Sequence, residues 1–585
     1  MGVPGFVAWL YNNHKSTNFI FKKLFKTSDL NDLNDIRVNS VQNIFIDANC
    51  LIHPKAREVY MNNLNLVESN IELLENKIIK SVISYMEFII EQVKPNNLIY
   101  IAVDGVAPMA KIKHQRLRRF KSVYDQKIKE ELCNKHKKPI IKEWNTSAIT
   151  PGTLFMDKLM NAILLWTETI KYKNIIFSSS YTPGEGEHKI VQYIRNNDLN
   201  DDVNIIYGLD ADLLFLSLAL NRKNIYLMRE TSQMEINGSH FEEGFSYLSI
   251  DILGDTIYNV IVEQINNKKK YDRTRIINDF VFLCYFCGND FLPNIPSLNI
   301  KPHNKKIKNG INIIVDTYSE IMHESEEYLI NNMIINKRLF MKILEILSEL
   351  ETEYFKDVYN NKRHFINCRS NDPYEIDKHN YDENIILNYN DPVELGNPKD
   401  DLNIWKKRYY KHYYNADITN KNALNVALEE YIKGLVWTTF YYYDKCKDYE
   451  WYYEHHHGPF ISDLKNFIEK KPNIFETFEN TYSIDGIWFK NQIKPLQQLL
   501  LVLPHESSYL IPLSYRVLLF NNSLKEYFPD KITDIKIDYI NKSKAWQNIL
   551  LLDIIPPRLI LKLTSKIILN EEVERNKLCL DYIKK

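Results

Sequence analysis

The chain has 585 residues, of which 45% are hydrophobic and 25% charged, with a formal net charge of -1. That length is too great for one ordinary core, and that composition is too apolar for a disordered chain. Near-zero net charge excludes a surface that grips phosphates everywhere, so any nucleic-acid site must be a local basic pocket.

Seven scattered cysteines, without a signal-peptide pattern, predict a reducing, cytoplasmic setting and no disulfide-linked partner, with a nuclear location left open. Cys284 and Cys287 form a CxxC, but no second Cys/His pair lies near, so both are expected as buried thiols rather than zinc ligands. No apolar run reaches membrane-spanning length: the stretch from Asn548 to Leu563 is broken by Asp553, Pro556, Pro557 and Arg558. No membrane association is expected.

In chain order, β-rich apolar runs occur at Asn43–Ile46, Leu98–Val103, Asn174–Ser178 and Val203–Tyr207. Between them lie stretches such as Glu75–Val93, whose apolar residues recur at helical spacing. This alternation predicts an α/β fold with a mostly parallel sheet flanked by helices. Residues 1–370 are expected to form that domain. Residues 371–401, rich in Asn, Asp and Pro, read as a polar linker or long loop. Residues 402–585 read as a second, mainly helical region rich in Tyr and Trp.

Each predicted strand runs into acid. The first leads to Asp47, the second to Asp104, the third to Glu185 and Glu187, the fourth to Asp210 and Asp212. In a parallel sheet all the C-terminal strand ends share one rim, where open α/β sheets place their sites. Two like charges 4 Å apart repel by about 4 kcal/mol even at an effective dielectric of ~20. Hard divalent cations with oxygen ligands relieve such a cluster, and a pair of them can stabilise both oxygens of a phosphodiester displacement. Asp290, after an apolar helix, would complete the set. Ordinary solvated turn acids are the plain alternative for any one of these residues, though a poor one for all together.

Beyond Asp104 comes a basic stretch. If helical after Pro108, it places Lys111, Gln115, Arg118 and Arg119 at i, i+4, i+7 and i+8, on one face. One amide and three cations beside a metal cluster suit a terminal phosphate. The runs Lys268–Lys270 and Lys305–Lys308 read as plain surface.

With these residues in view, the chain resembles the XRN family of 5′→3′ exoribonucleases over nearly its full length. The resemblance is carried by MGVP, IDANCLIH, AVDGVAP with QRLRRF, ITPGTLFM, PGEGEHKI, YGLDADL, FVFLCYFCGNDFLPNIPSL, WKKRYY, YIKGLVWTTFYYY, EWYYEHHHGPFISDL and VLPHESSYLIP. It implies a PIN/FEN-like nuclease domain with a helical region packed on it, completing the active-site channel together with the N-terminal segment. It implies two Mg²⁺ ions, with Mn²⁺ able to substitute, held by Asp47, Asp104, Glu185, Glu187, Asp210, Asp212 and Asp290. Lys111, Gln115, Arg118 and Arg119 would hold a 5′-monophosphate, and His53 and Trp451 would stack on bases. Taken alone, His53 and Trp451 default to structural roles, and His455–His457, inside a family-like segment, read as structural too. The implied activity is hydrolysis of 5′-monophosphorylated single-stranded RNA to nucleoside 5′-monophosphates in mRNA decay, with a decapping enzyme upstream. Met109 stands where the family usually has Arg, removing a cation near the phosphate pocket, and Cys50 replaces a usual Gly. The length suggests a minimal form, and the Asn-, Ile-, Lys- and Tyr-rich composition an AT-rich genome, such as that of a large DNA virus or a protist. Two alternatives stay open: a flap-endonuclease-type DNA nuclease, and a catalytically degenerate RNA-binding scaffold.

Overall fold

The computed structural model describes residues 40–584, apart from 209, 231–243, 268, 301–305, 362–363, 417–420, 484–491, 541, 543 and 570–571, together with three two-residue strands nearer the start. The MGVP motif and the N-terminal segment expected to help close a channel lie outside the described residues.

Eight strands make the central sheet: β1 (Ile20–Phe21), β2 (Asn43–Asp47), β3 (Leu98–Ala102), β4 (Ile175–Ser178), β5 (Asn204–Tyr207), β6 (Ile225–Glu230), β7 (Phe245–Ser249) and β8 (Tyr582–Lys584). Their spatial order is β1-β7-β6-β5-β2-β3-β4-β8. The middle five are parallel to one another. β7 and β1 add antiparallel strands at one edge, and β8 pairs antiparallel with β4 at the other. Strands β2 to β5 are buried along their whole length, because helices cover both faces. The four strands read from the sequence therefore stand within one residue of their expected limits. Both-face burial demands the continuous Ile/Val/Tyr runs that mark them.

The principal helices are α1 (Asn49–Met61), α2 (Ile71–Val93), α3 (Met109–Lys135), α4 (Leu154–Thr169), α5 (Gly186–Asn196), α6 (Asp212–Ala219), α7 (Ile250–Ile265), α8 (Arg273–Leu283), α9 (Gly310–Glu324), α10 (Lys337–Asn360), α11 (Leu402–Tyr414), α12 (Lys421–Tyr443), α13 (Ile461–Lys470), α14 (Ile474–Ser483) and α15 (Pro495–Val502). Helix α2 shows how sequence sets an element. Asn70 caps its start by accepting from Leu73 N–H, and Leu74, Ile78, Val82, Met86, Ile89 and Val93 form its buried stripe. Lys94 ends it in the left-handed region, φ 52°.

Alternate strand residues feed two cores. Ile44, Ile46, Ile99 and Ile101 pack with α1, α2 and α4. Phe45, Tyr100 and Ile206 belong to a larger cluster that runs through α5 to α10 and on into α11 to α14. The second region is thus continuous with the first domain's core. A third cluster joins α3 to residues 493–560.

The segment 371–401 packs against the rest of the described chain. It holds a short helix, Pro373–His379, fastened to the end of α3 by Lys138–Asp372 (3.1 Å) and Lys135–Asp377 (2.5 Å), and Val393 and Leu395 enter the large core. Its polar composition reflects attachment through charges. Cys284 and Cys287 are buried free thiols in the turn after α8. Among the described residues, no helix is long and apolar enough to cross a membrane.

Candidate active site

Chain order along the parallel strands runs β2, β3, β4 to one side and then returns to β5 and β6 on the other. The switch point therefore lies between β2 and β5, where an α/β sheet opens a crevice beyond its strand ends. Asp47 ends β2 on one wall of that crevice. Asp210 and Asp212 follow β5 on the other, Asp212 as the first residue of α6. Asp104 follows β3, and Glu185 and Glu187 flank the first residue of α5.

Local bonds hold these acids in place. Asn49 brackets Asp104: its Nδ2 donates to Asp104 Oδ2 (2.9 Å), and its Oδ1 accepts from Asp104 N–H (3.0 Å). Gly186 N–H donates to Asp104 Oδ1 (2.7 Å). A Cβ on Gly186 would stand 2.7 Å from Asp47 Oδ1 and 3.4 Å from Asp104 Oδ1, so only glycine lets α5 begin this close to both carboxylates. Asp47 accepts from Asn49 N–H (3.2 Å) and from the Cys50 thiol (3.1 Å). Lys111 reaches into the rim, contacting Glu185 and lying 2.6 Å from Asp290 Oδ2. From the second region, Tyr441 OH donates to Glu185 Oε2 (2.8 Å) and Tyr442 OH to Asp212 Oδ1 (3.0 Å).

The cluster is strained electrostatically. Burial, then Asp104 and Asp210, push Asp47 up to about 8. Burial, then Asp290, raise Asp212 to about 6. Glu187 is driven well above the carboxylate range by burial and by Asp212, Asp210 and Glu185, against the pull of Lys111. Burial also raises Glu185, with Lys111 offsetting part of it. At Asp290 burial opposes ionisation, but Lys111 and His114 outweigh it and hold the carboxyl well below its usual range. One lysine thus serves a ring of acids. The donors are all hard oxygens, and Glu187 Oε2 is buried without a hydrogen-bond partner, so the set suits a cation such as Mg²⁺. Among the described residues, no three potential ligands are gathered tightly enough to hold an ion as they stand.

The expected phosphate-binding residues do share helix α3. Lys111 and Gln115 are buried, Gln115 Oε1 accepting from Gln498 Nε2 of α15 (3.1 Å). Arg118 is exposed. Arg119 donates through Nη2 to Thr150 Oγ1 (2.5 Å), while its Nε and Nη1 are buried with no partner. Burial, then Arg118, lower its pKa to about 9. The adjacent face of α3 carries two cations that sequence reasoning did not single out. Lys113 donates to the carbonyls of Tyr453 (2.5 Å), Glu454 (3.2 Å) and His455 (2.7 Å). Arg116 donates to the carbonyls of Leu501 (2.9 Å), Asp553 (3.3 Å) and Tyr527, between the rings of Phe120 and Phe528. Met109 is fully buried in the apolar cluster around α3 and α15, so its side chain packs in the core and does not line the pocket.

His53 is exposed on α1. Crowding by the surrounding chain, then the guanidiniums of Arg118 and Arg119, lower its pKa to about 4, so it is neutral beside them. Trp451 is only 4% exposed, packs on Trp437 (5.0 Å between centroids) and Gly434, and donates to Glu430 Oε2 (3.0 Å). His457 pairs with the buried Asp538 (3.2 Å), and His455 lies against Tyr414 (4.3 Å), both structural contacts. Tyr441, Tyr442, Asn49 and Thr150 were missed because their types carry no chemistry alone; their value lies in the partners the fold brings.

A doubly wound α/β domain with an acid-lined switch point, adjoined by a cationic helix and roofed by a helical region, defines a PIN-like nuclease-type protein. The chain belongs to the XRN 5′-3′ exonuclease family: residues 1–231 match the XRN 5′-3′ exonuclease N-terminus, and residues 270–390 and 374–584 match the Xrn1 helical domain. Curated relatives include 5′-3′ exoribonuclease 1 of Homo sapiens, 27% identical over 96% of this chain and 34% of the relative. Others are 5′-3′ exoribonuclease 2 of Gallus gallus (26%, 95% and 69%) and 5′-3′ exoribonuclease 1 of Schizosaccharomyces pombe (26%, 98% and 49%). The chain thus spans about a third of the human relative's length and about half of the fission-yeast one.

Proposed function

We propose that the chain is a divalent-metal-dependent 5′→3′ exoribonuclease that removes nucleoside 5′-monophosphates from single-stranded RNA carrying a 5′-monophosphate. One observation carries this reading: Lys111 belongs at once to the cationic face of α3 and to the acid rim, so an anion bound by that face would lie beside the carboxylates. The partner-less nitrogens of Arg119 point to the same ligand, because a guanidinium desolvated and left unsatisfied gains most from a phosphate.

Asp47, Asp104, Glu185, Glu187, Asp210, Asp212 and Asp290 would hold Mg²⁺, or Mn²⁺ in its place. When bound, such ions supply a nucleophilic water at neutral pH and stabilise charge on the phosphodiester oxygens. The chain's own residues do the selecting. Lys111, Gln115, Arg118 and Arg119 bind the terminal phosphate and set the register of the first scissile bond. His53, neutral and exposed beside the arginines, offers a face for the first base, which suits binding without sequence preference. Lys113 and Arg116 keep α3 pressed to the second region. The family and its exoribonuclease relatives support an RNA substrate. A role in mRNA turnover, in the cytoplasm or nucleus, would require an upstream decapping activity that leaves a 5′-monophosphate.

The test is a time course on matched 3′-labelled RNAs bearing 5′-monophosphate, 5′-hydroxyl or 5′-triphosphate, in Mg²⁺ and in EDTA. Loss of the monophosphate RNA alone, only in Mg²⁺ and without internal fragments, is expected, with Asp210→Ala inactive. Survival of all three would leave an RNA-binding scaffold. Internal cutting of all three would favour a flap-endonuclease-type reading.

A further inference from the structure

We propose that Tyr441 and Tyr442 are positioning residues for the carboxylate rim: their hydroxyls fix Glu185 and Asp212, so the second region sets the site's affinity for its divalent cation. The inference rests on the metal-dependent nuclease reading above.

Successive side chains on a helix point about 100° apart, so neighbouring tyrosines can reach two different elements. Helix α12 uses this to bridge the rim. Tyr441 OH meets Glu185, just before α5, and Tyr442 OH meets Asp212, the first residue of α6. Both tyrosines are buried. Their rings are held firmly. Tyr441 is stacked on His188 (4.1 Å, 16°) on one side and on Trp437 (5.1 Å, 18°) on the other, with the edge of Phe291, next to Asp290, at 4.7 Å. Tyr442 packs on Tyr285 (5.2 Å), and its carbonyl accepts from Arg195 Nη2 of α5 (2.7 Å). A phenol bonded to one carboxylate oxygen fixes the direction of the other, which at Glu185 is also held by Lys111. Partners of this kind around metal ligands typically change metal affinity or activity by about 10–100-fold when removed.

Tyr443 supplies an internal control, because its hydroxyl donates to the backbone carbonyl of Asn278 (2.9 Å) and, among the described residues, hydrogen-bonds to no rim carboxylate. Tyr441→Phe, Tyr442→Phe and Tyr443→Phe each remove one hydroxyl and keep the ring. Mn²⁺ would be titrated into the metal-free proteins and followed by electron paramagnetic resonance, alongside melting curves and RNA degradation at varied metal concentration. The expected result is Mn²⁺ binding about tenfold weaker in Tyr441→Phe and Tyr442→Phe and unchanged in Tyr443→Phe. Activity should recover at high metal, with an unchanged KM for monophosphate RNA. Wild-type Mn²⁺ affinity in all three variants, or equal weakening in all three, would overturn the proposal and leave the tyrosines as ordinary packing. A wild-type protein that neither binds Mn²⁺ nor degrades RNA would overturn the nuclease reading itself, and the positioning role with it.

Discussion

Replacing Arg119 by Met should make the protein more stable while removing its response to phosphate. Two guanidinium nitrogens, Nε and Nη1, are buried without partners, and each such group costs roughly 1–3 kcal/mol. Against this stands one bond, from Nη2 to Thr150, whose hydroxyl keeps its own partner in Ser147 O (2.6 Å). A bond from a charged donor contributes about 1.5–3 kcal/mol, so the balance favours Met by about 1–2 kcal/mol. With an unfolding entropy of ~2.1 cal/mol/K per residue, 585 residues give roughly 1.2 kcal/mol/K, so Tm should rise by about 1–2 °C. Adding a nucleoside 5′-monophosphate at a hundredfold excess over its Kd should stabilise the wild type by about 2.7 kcal/mol, a rise of about 2 °C. Differential scanning calorimetry, with and without the monophosphate, reads both effects. A variant that melts below wild type, or that the monophosphate stabilises just as much, would refute the view that Arg119 is held in readiness for an anion.

In the metal-free protein the raised carboxyls impose a pH slope. Asp212, at about 6, and Asp47, at about 8, both lie above the usual 3.8. Their protonated forms favour the folded state, so this stability is full below that value and is lost as pH rises, first through Asp212 and then through Asp47. Melting in EDTA should therefore fall between about pH 5 and pH 9, and Mg²⁺ should flatten or reverse the slope; a rising curve untouched by Mg²⁺ would contradict the ion-holding role. Arg116→Met should destabilise the fold, by roughly 1–3 kcal/mol for each of the carbonyls of Leu501, Asp553 and Tyr527 left without a donor. Urea unfolding would measure the loss, and wild-type stability would mean that this clamp adds little.

Much of this architecture can be read from residue order alone, for identifiable reasons. Parallel strands buried on both faces must be continuous apolar runs, and their ends must carry the chemistry, so Asp47, Asp104, Asp210 and Asp212 announce themselves. The glycine at position 186 is equally legible, since acids alternating with glycines imply close backbone approach, and Gly186 N–H does bond Asp104. How residues 371–401 attach is hidden, because charge pairs such as Lys135–Asp377 leave no apolar pattern. The packing of Trp451 against Trp437 is hidden for a different reason, since burial is set by neighbours the motif does not contain. Tyr441 and Tyr442 sit in an aromatic run where nothing but the fold distinguishes a packing ring from a carboxylate partner. Strand β8, only three residues long, is too short for any periodicity to show.

That last strand has a consequence for how the protein comes into being. Its Lys584 ammonium reaches back across 417 positions to the carbonyl of Thr167, and also caps those of Glu168 (3.2 Å) and Ile170 (3.0 Å). Until it emerges from the ribosome, the β4 edge of the central sheet carries an unpaired row of backbone groups, the kind of edge that recruits other chains. Synthesis at about 5–20 residues per second leaves that edge open for tens of seconds after β4 itself has appeared. The sheet of the nuclease half is therefore completed only when residues 582–584 have been made, some four hundred residues after β4, and its vulnerable period is set by translation speed.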